Sequence, residues 1–257
     1  MWIDDVLAGA RARGPVEGTR TRPLRSFSGA LARTRAMGLN PIIAELKMAS
    51  PSGFRASVDP ALYVRAVSGA AAFSVVTEPI AFGGSYGLLR LVASASELPI
   101  LMKDFVVSED QVRAAWTLGA DAVLLIVRLL SDAELRRLHS AVRSTGMEAL
   151  VEVHDERDLE RALGLRPRMI GVNARDLVTL GMDRDAQLRL LRMIPSGTLR
   201  VAESGIAGAE DVRALRAAGA DAFLVGTALM RNPGLLGELM RARGHRYLYG
   251  WFNHPLM

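Results

Sequence analysis

Positive charge in this chain is written as arginine almost everywhere: of 32 lysines and arginines only two are lysine, Lys47 and Lys103. A guanidinium does not give up its proton at accessible pH, whereas the pKa of an ammonium moves readily when it is desolvated. Two isolated lysines therefore suggest proton chemistry; the plainer alternative is that both are chance survivors of an arginine bias. Glu45 stands two residues before Lys47, on the same face if the stretch is a strand, and Asp104 follows Lys103. Glu152, Asn173, Arg175, Glu203 and Ser204 also stand at the ends of apolar runs. Burying a charge is costly unless it has a partner or a task, so so many charged groups in apolar strands point to a site, although any single one could be a structural ion pair.

The elements that must position these residues show in a repeat. "SGAAAFSVV", "LGADAVLLI" and "AGADAFLVG" each place a glycine, at 69, 119 and 219, just before a buried-strand pattern. Each reads as a left-handed helix cap followed by a strand, and the spacings of 50 and 100 are multiples of 25. At that period eight strands are predicted, starting near residues 41, 72, 99, 121, 148, 169, 199 and 221. Helical patterns alternate with them, such as "SEDQVRAAWTLG" with Ser108 as N-cap. Eight such units predict an α/β fold closed into a (β/α)8 TIM barrel over residues 41–242. An open doubly wound sheet is the alternative, but no glycine-rich dinucleotide fingerprint follows the first strand. Residues 1–40 form an N-terminal helical extension covering part of the barrel, and no role is assigned to the tail at 243–257. In such a barrel the polar strand ends face one mouth. "ESGI" and "VGTALM" after strands seven and eight bring Ser204, Gly205, Gly226 and Thr227 there as a candidate phosphate-binding end.

Composition narrows the class. Half of the 257 residues are hydrophobic, ample for a core, and the absence of cysteine excludes disulfides, thiolate metal sites and a cysteine nucleophile. "MWIDDVLAGA" carries acids where a secretory signal has basic residues, and apolar runs such as "AVLLIV" fall far short of the roughly 20 residues of a membrane span. A soluble, cytoplasmic protein is expected. The net charge of +5 raises nucleic acid as a partner, but most arginines alternate with acids in the manner of solvated helix faces. Between residues 11 and 35, seven arginines meet one acid, Glu17, so a local positive field is expected to draw in an anionic substrate.

Seven motifs in order, "IIAELKMASPS", "VVTEPIAFGGS", "PILMKDFVV", "EALVEVHDE", "IGVNARDL", "VAESGI" and "FLVGTALM", resemble the indole-3-glycerol phosphate synthase family from about residue 25 to about 240. One departure is Gly53-Phe54, where the family has a basic residue after "SPS". The resemblance implies a lyase of tryptophan biosynthesis that converts 1-(2-carboxyphenylamino)-1-deoxyribulose 5-phosphate to indole-3-glycerol phosphate, CO2 and water. It implies no metal or organic cofactor, a small phosphorylated substrate, no nucleic-acid or membrane partner, and a monomer. By resemblance Lys103 is the general acid, with a lowered pKa suited to protonating a ketone oxygen. Lys47, beside Glu45, holds the substrate carboxylate; Glu152 serves the later proton transfers, supported by Glu45 and Asn173. Arg175 binds the anthranilate carboxylate and Glu203 orients a lysine or a hydroxyl. Ser50 and Ser52 join Ser204, Gly205, Gly226 and Thr227 around the sugar phosphate, while Phe82, Phe105 and Leu177 pack on the aromatic ring. Two other readings stay open: another phosphate-binding barrel enzyme, such as a phosphoribosylanthranilate isomerase, and a non-catalytic sugar-phosphate-binding barrel.

Overall fold

Eight parallel strands close on themselves in sequence order in a computed structural model that describes residues 2–243. They are β1 (Ile42–Leu46), β2 (Ala72–Val76), β3 (Ile100–Lys103), β4 (Ala122–Ile126), β5 (Glu148–Val153), β6 (Met169–Asn173), β7 (Leu199–Glu203) and β8 (Ala222–Val225), with β1 pairing β8. Two helices precede the barrel, α1 (Trp2–Ala12) and α2 (Phe27–Ala36). Between and after the strands come α3 (Pro60–Ala66), α4 (Tyr86–Ala95), α5 (Glu109–Leu118), α6 (Asp132–Ser144), α7 (Glu156–Leu163), α8 (Arg184–Met193), α9 (Ala209–Ala217), α10 (Thr227–Arg231) and α11 (Leu236–Arg241). The fold is the (β/α)8 barrel that the repeat predicts. Most of the tail assigned to 243–257 lies outside the described residues. No helix among the described residues is long and apolar enough to cross a membrane.

Local signals set the helix ends. Ser108 caps α5 and Gln111 closes the capping box, with Glu109 and Asp110 favouring the positive end of the helix dipole. Gly119 ends α5 with φ +98°, and Gly219 follows α9 with φ +105°, both left-handed as expected. Gly69 is not: it lacks a positive φ, because α3 already stops at Ala66 and a turn at Val67 takes the chain into β2.

The period of two sorts each strand into an outer and an inner face. Outward residues such as Ile42, Val75, Met102, Val123, Val151 and Phe223 pack under the helices in one large apolar cluster. Inward residues Ile43, Leu101, Leu150 and Val201 fill the barrel together with Phe27 and Leu31 of α2, which plugs its N-terminal end. One step further along the same four strands the inward positions are Glu45, Lys103, Glu152 and Glu203. The interior therefore changes from an apolar floor to a charged layer within two residues, at the strand ends where barrels of this type work.

The arginine-rich stretch before β1 is used structurally. Arg20 and Arg22, almost fully buried, converge on Asp121 just ahead of β4, with Nη–Oδ distances of 2.6 and 3.4 Å. Asp121 also accepts from the backbone N–H groups of Arg25 (2.9 Å) and Ile100 (3.0 Å). Arg25 pairs with Glu97, and Arg35 with Asp221 ahead of β8. Burial pulls Arg22 down to about 10 against the opposing attraction of Asp121, with Arg25 and Arg20 repelling it further. The expected substrate-attracting field is thus corrected: five of the seven arginines, counting Arg13 at Asp104, are matched to acids, and four of these sit at the end of the barrel away from the mouth.

Candidate active site

A cavity of about 660 Å³ opens at the C-terminal ends of the strands. All sixteen residues singled out from the sequence line it: Glu45, Lys47, Ser50, Ser52, Phe82, Lys103, Phe105, Glu152, Asn173, Arg175, Leu177, Glu203, Ser204, Gly205, Gly226 and Thr227.

Its centre is Lys103. The ammonium lies 3.3 Å from Glu152 Oε2 and bonds to Glu203 Oε2, and both carboxylates are almost completely buried. Burial alone lowers an ammonium pKa, but Glu203, Glu152 and Glu45 together outweigh it and hold Lys103 above the ordinary lysine value. The lowered pKa expected of this lysine is therefore overturned, because three carboxylates surround one cation. The carboxylates divide. Burial pushes Glu203 up to about 8, with Lys103 opposing and Glu152 adding repulsion. Glu152 goes down: burial would raise it, but Lys103, His154 and Asn173 favour its anion more. The opposite directions favour Glu152 as the member that ionises first and Glu203 as the one that keeps its proton longer, so that two like charges do not have to share one buried space.

The second lysine forms a separate pair. Lys47 Nζ is 3.1 Å from Glu45 Oε1 and 5.6 Å from the centre of the Phe54 ring, a cation–π contact. Gly226 makes room for it, since a Cβ there would overlap Glu45 Oε1 and approach Lys47 Nζ to 2.9 Å. Gly171 does the same for Glu203, whose Oε1 occupies the space of the missing Cβ. Gly226 was singled out for its backbone amide; the structure adds this steric reason. Ser204, at φ +68°, is left-handed without being glycine, a conformation that costs about 1 kcal/mol and turns the chain at the mouth into Gly205 at φ +71°. Ser50 and Ser52 hydroxyls lie 2.9 Å apart in the loop after β1.

Asn173 Oδ1 accepts the Arg175 backbone N–H at 3.0 Å, and Arg175 Nη1 donates to Leu180 O at 2.9 Å, so the loop after β6 is pinned at both of its ends. Asp104 does not serve the cavity centre: Arg13 grips it with two bonds of 2.6 Å, and Thr77 donates to it as well.

Several lining residues lay beyond the sequence reading. Trp2 of α1 stacks edge-on against Phe82 and Phe105, with centroids 6.4 and 6.1 Å away, and completes an aromatic wall. Nothing in the repeat says where a helix ahead of the barrel will lie. Glu78 accepts the N–H groups of Ile80, Ala81 and Phe82 at 2.7–3.0 Å and so shapes the loop that carries Phe82. Its place in "VVTEPIAFGGS" just past β2 is a signal that finds it.

A charged layer over an apolar floor, an aromatic wall, and glycines after β7 and β8 gather at the mouth of a (β/α)8 barrel, the end where enzymes of this fold class carry their active sites. A sequence model described as indole-3-glycerol phosphate synthase matches residues 10–239. Proteins of that name are similar to this chain: 44% identical in Sulfurisphaera tokodaii, covering 93% of this chain and 97% of that protein, and 45% in a Nocardioides species, covering 94% and 98%. Indole-3-glycerol phosphate synthase 2 of Streptomyces coelicolor is 49% identical over 82% of this chain and 83% of its own. The chain belongs to the indole-3-glycerol phosphate synthase family, the lyases of tryptophan biosynthesis.

Proposed function

We propose that the chain closes the indole ring of 1-(2-carboxyphenylamino)-1-deoxyribulose 5-phosphate by proton transfers within the Lys103, Glu152 and Glu203 cluster. The observation that carries this division of labour is one ammonium held between two buried carboxylates of opposite protonation preference.

The aromatic carbon bearing the carboxylate attacks the ketone carbon, and Lys103 gives a proton to the ketone oxygen as charge develops on it. An ammonium so strongly favoured by its neighbours is a reluctant donor. Glu203, still protonated below about 8, lies against the same nitrogen and refills it as the proton leaves, so the cluster as a whole is the acid. The bond to the carboxylate then breaks, CO2 departs and its electron pair restores the double bond. In the last step the new hydroxyl leaves as water, taking a proton from Lys103, while Glu152, the ionised member, removes the proton that the ring must lose. Asn173 holds Glu152, and Glu45 holds Lys47.

Lys47 and Arg175 bind the substrate carboxylate, for which a planar guanidinium fork fits best. Phe82, Phe105 and Leu177 pack on the aromatic ring and Trp2 extends that wall. The phosphate lies at Ser50, Ser52, Ser204, Gly205, Gly226 and Thr227. A cytoplasmic monomer completes the reading, in keeping with a cysteine-free chain. The test is incubation of the purified protein with the substrate while indole fluorescence is followed: a rise is expected with the parent and none with folded Lys103→Arg. No rise with the folded parent overturns it.

A further inference from the structure

His154 lies one inward step beyond Glu152, immediately past the end of β5, and the mechanism above does not use it. Its side chain is 3% exposed. Nε2 is 3.3 Å from Glu152 Oε1 and Nδ1 is 3.7 Å from Asp158 Oδ2 on α7. Neither ring nitrogen makes a hydrogen bond of good geometry among the described residues, and neither does Glu152 Oε1. A buried imidazole and a buried carboxylate oxygen that both lack partners, 3.3 Å apart, are one small rotation from satisfying each other. Asp158 is itself held, accepting from the His154 backbone N–H at 3.1 Å and from Arg128 Nε at 3.2 Å. Arg128 is tied in turn to Asp155 at 2.9 Å and to Asp176 at 3.0 Å. The backing behind the imidazole is therefore rigid and reaches two loops of the mouth.

We propose that His154 is a positioning residue for Glu152, fixing its carboxylate through Oε1, the oxygen that Lys103 leaves free. An imidazole donates to one neighbour in either neutral tautomer and to both when protonated, so a ring between Glu152 and Asp158 has a partner for every proton it carries. The charged and titratable groups that face Glu152 are Lys103 from β3, Glu203 from β7 and His154 from its own strand end. Those around His154 are Glu152, Asp158 and, behind Asp158, Arg128. Lys103 and His154 take different oxygens of one carboxylate, and removing either one leaves the anion less favoured.

The proposal rests on Glu152 acting as a base, and its test separates the two. His154→Gln replaces the rigid ring that reaches Glu152 Oε1 from Asp158 with a flexible amide that cannot carry charge. It is expected to move the acid limb of the kcat profile up by about one pH unit, with KM within about twofold, and to move the carboxyl 13C titration of Glu152 up by the same amount. Asp158→Asn, which leaves the ring in place but withdraws the charge behind it, is expected to move both readouts the same way by less. It also serves if His154→Gln fails to fold. An unchanged limb and an unchanged Glu152 titration in a variant with parental circular dichroism overturn the proposal. Parental turnover in Glu152→Gln would instead remove Glu152 from the chemistry, and the 13C titration would still decide whether His154 holds it.

Discussion

The two ends of this barrel use the same materials, buried carboxylates and cations, to opposite effect. At the floor, Asp121 receives two guanidinium groups and two backbone N–H groups, and Asp221 receives Arg35 together with the backbone and side chain of Arg200 at 3.0 and 2.9 Å. At the mouth, one lysine serves two carboxylates, and Oε1 of both Glu152 and Glu203 accepts no hydrogen bond of good geometry. A carboxylate with all its partners in place stabilises and does nothing else. One left short keeps a displaced pKa and the capacity to take up a proton or a substrate group, which is what separates a structural ion pair from a reactive one.

Substitutions at the two ends should separate loss of activity from loss of stability. Lys103→Arg keeps the charge and removes the exchangeable proton, so turnover should fall about a thousandfold or more while the melting temperature holds; near-parental turnover removes Lys103 from the acid role. Asp121→Ala strands Arg20 and Arg22 without their anion, and thermal melts should show a loss of about 3 kcal/mol, or about 10 °C, with kcat at 25 °C unchanged. A drop in kcat without a drop in stability would erase the contrast between the ends. Asn173→Ala should lower kcat by about tenfold to a hundredfold and weaken phosphate binding less, because it loosens Glu152 and the loop after β6 rather than the phosphate end. Glu203 gives the smallest signal and the sharpest sign. Its folded pKa, raised from an ordinary 4.5 to about 8, means that the folded chain holds a proton the unfolded chain releases in that window. Stability contributed by this group is then full below about 4.5 and is lost as pH rises through about 8. Glu203→Gln should flatten the fall in melting temperature between pH 5 and 8, remove a basic limb of kcat near 8 and, because an amide cannot refill Lys103, lower kcat a few-fold.

The barrel could be read from the sequence because its determinants are local and repeated. Every strand begins within one residue of its expected position, since helical patterns and apolar runs alternate along the whole barrel. The exception at Gly69 arose where a short helix ended early and a turn replaced the left-handed cap. Placing polar residues at strand ends was enough to collect them in one cavity, because the topology decides which end faces the mouth. What the pattern could not supply depends on distances between units. The direction of the Lys103 shift follows from Glu152 and Glu203, which are 49 and 100 residues away. The use of Arg20 and Arg22 follows from which end of the barrel the leading segment crosses, and charge counting carries no such information.

That leading segment has a consequence for the order in which the molecule is made. Arg13 meets Asp104 across 91 residues, Arg20 meets Asp121 across 101, and Arg35 meets Asp221 across 186. This segment leaves the ribosome well before the residues it pairs with, and at about 5–20 residues per second Arg35 waits many seconds for Asp221. Until then the floor of the barrel stands open, with Arg20 and Arg22, buried once it closes, still in water, and the growing chain has no closed interior in which a lysine is worth surrounding with acids.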